Sequence, residues 1–165
     1  MSDQFIAEKI WLRKLASENG FPIEDEQLGQ IELFVVRILE WNQKINLISR
    51  RDEKNVWKKH VLESISILFF KSFLEGTAVI DIGTGGGFPG VPLAILQPSM
   101  KFLLVDSIQK KIRVLESVVS DLNLSNVTPL CTRVEALGRN SAYQNRFHYA
   151  ICRGVGPATR VPSVR

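Results

Sequence analysis

From residue 78 to residue 90 the chain reads Ala-Val-Ile-Asp-Ile-Gly-Thr-Gly-Gly-Gly-Phe-Pro-Gly. A short β-rich run, Ala78 to Ile82, passes directly into glycines, and this order constrains the fold more than any other stretch. Glycine costs backbone entropy, so it accumulates where the chain must turn sharply or where another group must touch the backbone. A strand ending in such a loop, with a helix behind it, aims free N–H groups at whatever the loop holds. The sequence beyond repeats the unit. Phe102 to Asp106 reads as a second strand, followed by Ser107 as the N-cap of a helix from Ile108 to Leu122. Val127 to Cys131 reads as a third strand and Phe147 to Cys152 as a fourth. Strands alternating with helices predict an α/β fold with a parallel sheet. Their continuous apolar character predicts burial on both faces.

Residues 1–74 have another character, and we expect a helical region there, packed on a core formed by residues 75–165. Leu28, Ile31, Val35, Ile38 and Leu39 recur at steps of three and four, the buried face of a helix. Phe21-Pro22 interrupts the chain before it, and Asp25 is placed to cap its start. A second helix, Val56 to Phe70, carries Val61, Ile65 and Leu68 on one side. Between the two, Trp41 to Lys59 is polar and basic.

Charge decides little. Twenty-one Lys and Arg against 17 Asp and Glu give +4, which suits a polyanionic partner without requiring one. The N-terminus has no apolar signal-peptide core. The apolar run Ile65 to Phe70 is interrupted by Ser66 and is too short for a bilayer. The expectation is a soluble, cytoplasmic chain without a membrane partner. Cys131 and Cys152 have no metal-ligand spacing and read as small buried hydrophobes.

The glycine loop admits two chemistries. Gly85-x-Gly87-x-x-Gly90 satisfies the dinucleotide fingerprint, which would make the chain an NAD-dependent dehydrogenase. The frame Asp81-x-Gly83-x-Gly85-x-Gly87 is instead the pattern of Rossmann-like methyltransferases. Asp106, at the end of the second strand, is a ribose acceptor in nucleotide-like cofactor folds. Lys110, Lys111 and Arg113 put cations into the first turn of a helix, against its macrodipole, which points to an anionic partner. Arg50, Arg51, Lys54, Lys58, Lys59 and His60 form a basic run that reads either as a solvated face or as an RNA-backbone contact. His60 reads as a packing group or a functional one. Trp41, Asn42 and Asn46 read as ordering the junction between the helical region and the sheet. Glu135 reads as a dipole partner at a helix start or as a ligand contact.

Taken together, Trp41-Asn42-x-x-x-Asn46-Leu47, Arg51-Asp52, His60, Ser64, the stretch Ile80 to Ala94 with its Gly-Phe-Pro-Gly-Val-Pro, Val105-Asp106-Ser107 with Lys110-Lys111-x-Arg113, Arg133-Val134-Glu135 and Arg153 resemble one family. It is that of the bacterial 16S ribosomal RNA guanine-N7 methyltransferases, the RsmG or GidB type. The resemblance implies a Rossmann-like class I methyltransferase fold and S-adenosyl-L-methionine as cofactor. It implies that Gly83, Gly85 and Phe88 line the methionine end, that Asp106 and Ser107 meet ribose and adenine, and that Val134 and Glu135 flank the adenine. Arg153 would stand at the mouth of the site, and Arg133 and Arg153 are the candidates for positioning the guanine. No catalytic base is implied and no metal. The partner would be 16S ribosomal RNA or the small ribosomal subunit, and the protein a monomer. Family members continue past the position of Arg165, and the stretch from Gly154 to Pro157 departs from their usual continuation. A C-terminally truncated sheet with an exposed fourth-strand edge is therefore expected, and with it a rival reading as an inactive RNA-binding remnant.

Overall fold

A computed structural model of the chain describes residues 5–154. The stretch from residue 155 to the end, including most of the tail that departs from the family pattern, lies outside the described residues. Two helices come first, α1 (Ile6–Glu18) and α2 (Asp25–Asn42). An irregular helical run follows, with 3-10 turns at Arg50–Asn55, a π-helical turn at Trp57–Leu62, a short α3 (Glu63–Ile65) and a further 3-10 turn at Ser66–Phe69. The regular helix expected from Val56 to Phe70 is thus a chain of three helix types. Its buried side is still Val61, Ile65 and Leu68.

The sheet has four parallel strands: β1 (Ala78–Ile82), β2 (Lys101–Asp106), β3 (Val127–Cys131) and β4 (Tyr149–Cys152). Their spatial order is β3-β2-β1-β4. Three helices cross between them: α4 (Gly90–Leu96), α5 (Gln109–Asp121) and α6 (Val134–Arg139). The chain winds from β1 through β2 to β3 and then returns to the other side of β1. Ligands in open parallel sheets bind at the carboxyl ends of the strands beside such a reversal, here between β1 and β4.

One apolar cluster joins α1, α2 and the helical run to one face of the sheet, from Leu12 and Phe34 to Leu104 and Val127. The opposite face carries a smaller cluster of Ile80, Ile82, Val105 and Leu137, against which Val134 packs. β1 is buried throughout after its first residue, as continuous apolar strands predict. β4 is not: its residues alternate between half-buried and exposed, because it is an edge among the described residues. For the same reason Cys152 is exposed, contrary to the expectation of a buried thiol, while Cys131 is half-buried. No helix among the described residues is long and apolar enough to cross a membrane.

Two caps differ from their sequence readings. α2 is capped by Glu24 in a reciprocal capping box with Gln27, and Asp25 is already inside the helix. At α5 the first helical residue is Gln109, and Ser107 makes no cap bond; the Asp106 carboxylate accepts the Ile108 N–H at 2.9 Å instead.

Asn42 ends α2 with its side chain buried. Its Oδ1 accepts the backbone N–H groups of Leu47 (2.8 Å) and Ile48 (3.0 Å), and its Nδ2 donates to Glu53 at 2.6 Å. This is the structural role expected of the Trp-Asn motif, although Asn46 itself is exposed. An Asn42→Ala chain strands two buried N–H groups, and we expect it to lose about 2 kcal/mol of unfolding free energy. Urea denaturation checks this; an unchanged midpoint would contradict the role.

Candidate functional site

The glycine loop is shaped by two acids at neighbouring strand ends. Gly83 and Thr84 donate their N–H groups to the Val105 carbonyl (2.8 and 3.0 Å), which folds the loop across the end of β2. Gly85 donates to Asp106 Oδ2 at 3.0 Å and has φ of 57°, a conformation that favours glycine. Each Asp106 oxygen receives one backbone N–H, from Gly85 or Ile108, and each keeps acceptor capacity for one more donor such as a sugar hydroxyl.

Under the loop, Asp81 is fully buried. Its Oδ2 accepts the Thr84 hydroxyl (2.7 Å) and the Gly90 N–H (3.0 Å), while its Oδ1 has no partner among the described residues. Burial pushes this carboxyl up to about 6, although Thr84, Gly90 and Arg153 pull it down. The folded chain therefore holds the proton more tightly than the unfolded one, and this group's contribution to stability is lost as pH rises from about 4 to about 6. Asp81→Asn keeps one acceptor oxygen and removes the charge. We expect the variant to gain on the parent protein between pH 4.5 and pH 7.5 in parallel urea titrations. An equal difference at the two pH values would contradict this assignment.

Beside the loop a cavity of about 620 Å3 opens between the glycines and the polar segment of the N-terminal half. Gly83 to Gly86, Phe88 and Arg153 form one wall; Leu47 to Ser49, Asp52 and the π-helical turn with Lys59, His60 and Glu63 form the other, with Lys111 at the rim. The two walls touch where the loop runs under residue 47: a Cβ on Gly86 would stand 3.2 Å from the Leu47 carbonyl oxygen. Arg153, just past β4, crosses the gap. Its Nη1 donates to the Lys59 carbonyl (2.8 Å) and to Glu63 Oε2 (3.2 Å), its Nη2 lies 2.6 Å from His60 Nδ1, and its guanidinium sits 5.4 Å from the Phe88 ring centroid. The Lys59 ammonium, 3.0 Å from Asp52, holds that carboxyl below its usual range.

Of the residues singled out in the sequence, Gly83, Gly85, Phe88 and Arg153 line this cavity. Asp106 joins them through Gly85. Ser107, exposed, follows Asp106 at the end of β2. Arg133, exposed, is the N-cap of α6; Val134 and Glu135 form that helix's first turn beyond β3. All stand at carboxyl ends of strands, but Arg133 and Arg153 leave β3 and β4, which are separated by β2 and β1. The sequence reading did not include residues 47–49, Asp52, Glu63 or Thr84 in the site. The Trp-Asn motif was the available signal for the first of these, since a buried Asn with that spacing folds the following segment back on itself. Among the described residues no group of three or more His, Cys, Asp or Glu side chains is placed to hold a metal.

The family model described as rRNA small subunit methyltransferase G (GidB) matches residues 27–164. Proteins named "Ribosomal RNA small subunit methyltransferase G" are similar along most of the chain. The one from Christiangramia forsetii is 46% identical over 121 residues, 73% of this chain and 57% of that protein. That from Porphyromonas gingivalis is 43% identical over 139 residues, 84% and 60% respectively. That from Alkaliphilus metalliredigens is 36% identical over 147 residues, 89% and 62%. The chain thus spans about three-fifths of the length of these relatives. A solved structure of a putative protein-L-isoaspartate O-methyltransferase from Plasmodium falciparum, in complex with S-adenosyl-L-homocysteine, aligns with a TM-score of 0.46 at 13% identity over 83% of this chain and 67% of that one. By the extent of the family match and by the identity to these relatives, the chain belongs to the rRNA small subunit methyltransferase G family.

Proposed function

We propose that this chain holds S-adenosyl-L-methionine and serves the methylation of guanine N7 in 16S ribosomal RNA. The observation that carries the reading is the bond from Gly85 N–H to Asp106 Oδ2, 3.0 Å long, which joins the glycine loop to the acid at the next strand end. The residues fit the cofactor. Asp106 keeps acceptor capacity for ribose hydroxyls, and the cavity of about 620 Å3 falls within the usual range for small-molecule sites, about 300–1,000 Å3. Gly83, Gly85 and Phe88 would hold the methionine end, Asp106 and Ser107 the ribose and adenine, and Val134 and Glu135 the far side of the adenine. We read residues 1–74 as a helical region packed on the cofactor core of residues 75–165.

When bound, S-adenosyl-L-methionine supplies a sulfonium methyl group as electrophile. Guanine N7 has an exposed lone pair and no proton at neutral pH, so the chain needs no general base and its task is to position. Arg153 and Arg133 are suited to grip guanine O6 or a phosphate. Arg50, Arg51, Lys54 and Lys58 are exposed on the turns that also carry Asp52 and Lys59 and would follow the RNA backbone. We place the protein in the cytoplasm, as a monomer acting on the small ribosomal subunit.

The nicotinamide reading fits less well. Its fingerprint needs the second glycine to offer backbone to a pyrophosphate. Gly87 instead faces the core, where a Cβ would stand 2.9 Å from both Leu115 and Val91 and 3.3 Å from Phe34.

The test is methyl transfer to small subunits, and separately to naked 16S RNA, from a strain lacking the mark. Purified chain with labelled cofactor is expected to label the RNA at a guanine that becomes sensitive to borohydride and aniline cleavage. Absence of transfer to both substrates under saturating cofactor would overturn the assignment of activity to this chain.

A further inference from the structure

The cavity wall contains a contact that neither the glycine loop nor the RNA surface accounts for. Arg153 has five N–H donors. Two on Nη1 go to the Lys59 carbonyl and Glu63, and one on Nη2 meets His60 Nδ1 at 2.6 Å. A guanidinium only donates, so that ring nitrogen must be the acceptor and the proton of a neutral imidazole must be on Nε2. The His60 ring also packs on Phe88, with centroids 5.1 Å apart, and Phe88 in turn sits under the Arg153 guanidinium. Three segments distant in sequence are locked by this one side chain: the π-helical turn, the glycine loop and the end of β4. The Nε–H and one Nη2–H of Arg153 remain without a protein partner among the described residues, on a residue that lines the cavity.

We propose that His60 is a positioning residue: as a neutral acceptor it fixes the Arg153 fork over Phe88, and so holds the two remaining Arg153 donors in place for an acceptor group on the bound cofactor. The inference rests on the methyltransferase reading for the identity of that ligand, but not for the latch itself. The charged groups facing His60 are few. Asp52 lies 3.6 Å from Nε2, on the preceding 3-10 turn; Lys59 and Glu63 flank it on its own segment; Arg153 comes from beyond β4. Burial and then the Arg153 charge push His60 below its ordinary value, while Asp52 and Glu63 oppose this, so the ring is neutral at neutral pH. A proton arriving on Nδ1 in mild acid would set two donors against each other and release the fork.

The chain has two histidines, so long-range nitrogen–proton spectra of labelled protein resolve the ring of His60 by its loss in a His60→Asn sample. The expected spectrum shows the Nε2–H tautomer at pH 7.5, and a midpoint that moves to higher pH in Arg153→Met. An Nδ1–H tautomer, or an unmoved midpoint, overturns the latch whether or not the cofactor binds. S-adenosylhomocysteine affinity is then measured by calorimetry from pH 5.5 to 8.5. Asn can place an amide oxygen near Nδ1, so His60→Asn should stay within about threefold of the parent protein at pH 7.5 and lose the parent's fall in affinity towards acid. His60→Phe keeps the ring on Phe88 but has no acceptor, and should bind about tenfold more weakly than the parent protein at pH 7.5, the scale of one hydrogen bond to a charged group, with the two converging towards acid as His60 takes up its proton. Equal affinities for the parent and His60→Phe, with parallel pH profiles, would overturn the positioning role. If the parent protein does not bind S-adenosylhomocysteine at all, the methyltransferase reading fails, and the spectra alone decide the latch.

Discussion

Gly90→Ala is expected to cost the folded protein about 3 kcal/mol, the upper end of the range typical of overpacking. The reason is the lack of room. A Cβ at this position would stand 2.3 Å from Leu104 Cδ2 and 2.7 Å from Asp81 Oδ2. Leu104 is fully buried in β2 and has nowhere to move, and Asp81 is committed to the Gly90 N–H and the Thr84 hydroxyl. Displacing α4 to relieve the contact would therefore break the bond that fixes the start of that helix and, with it, the glycine loop. Thermal unfolding should show a fall of several degrees, since about 1 kcal/mol shifts the midpoint of a domain this size by roughly 2–4 °C. Gly138→Ala is the control, because a Cβ there meets nothing within 4 Å. Similar melting temperatures for the two variants would show that α4 does not pack on Asp81 and Leu104 as described.

Asp106→Ala is expected to weaken cofactor binding by 100-fold or more. A carboxylate accepting ribose hydroxyls makes charged hydrogen bonds, each contributing roughly 1.5–3 kcal/mol. The same substitution frees the N–H groups of Gly85 and Ile108, so part of the loss comes through the shape of the loop. Asp106→Asn separates the two effects. Its amide oxygen can still accept from one backbone N–H, whereas the amide nitrogen offers a donor where the ribose needs an acceptor. The Asn variant should therefore melt closer to the parent protein than the Ala variant does and yet bind the cofactor poorly. Tight binding by Asp106→Asn would remove Asp106 from the ribose site.

The sheet and its loop were legible because their signals are local. A strand, a run of glycines and an acid at the next strand end lie within one stretch of chain, and the parallel β3-β2-β1-β4 order gives them the expected common edge. The second wall of the cavity was not legible, because its contacts join residues far apart. Nothing near His60 or Arg153 in sequence announces that they meet across 93 positions. The irregular turns at Arg50–Asn55 and Trp57–Leu62 were hidden by a hydrophobic spacing that a plain helix would share. The caps were each displaced by one residue: Asp106 takes the Ile108 N–H ahead of Ser107, and Glu24 pairs reciprocally with Gln27, which leaves Asp25 inside the helix. Cys152 was misjudged although an exposed fourth-strand edge was expected: its apolar neighbours were read as burial, which a strand at the edge of the described sheet does not have.

Gly90→Ala and Asp106→Ala both bear on a cofactor cradle formed by the glycine loop and Asp106. Calorimetric titration of the purified chain with S-adenosylhomocysteine, and in parallel with NADH, tests it most directly. One saturable site in the micromolar range is expected for S-adenosylhomocysteine, none for NADH, and loss of the site in Asp106→Ala. NADH binding in its place, or S-adenosylhomocysteine binding that survives the loss of Asp106, would contradict it.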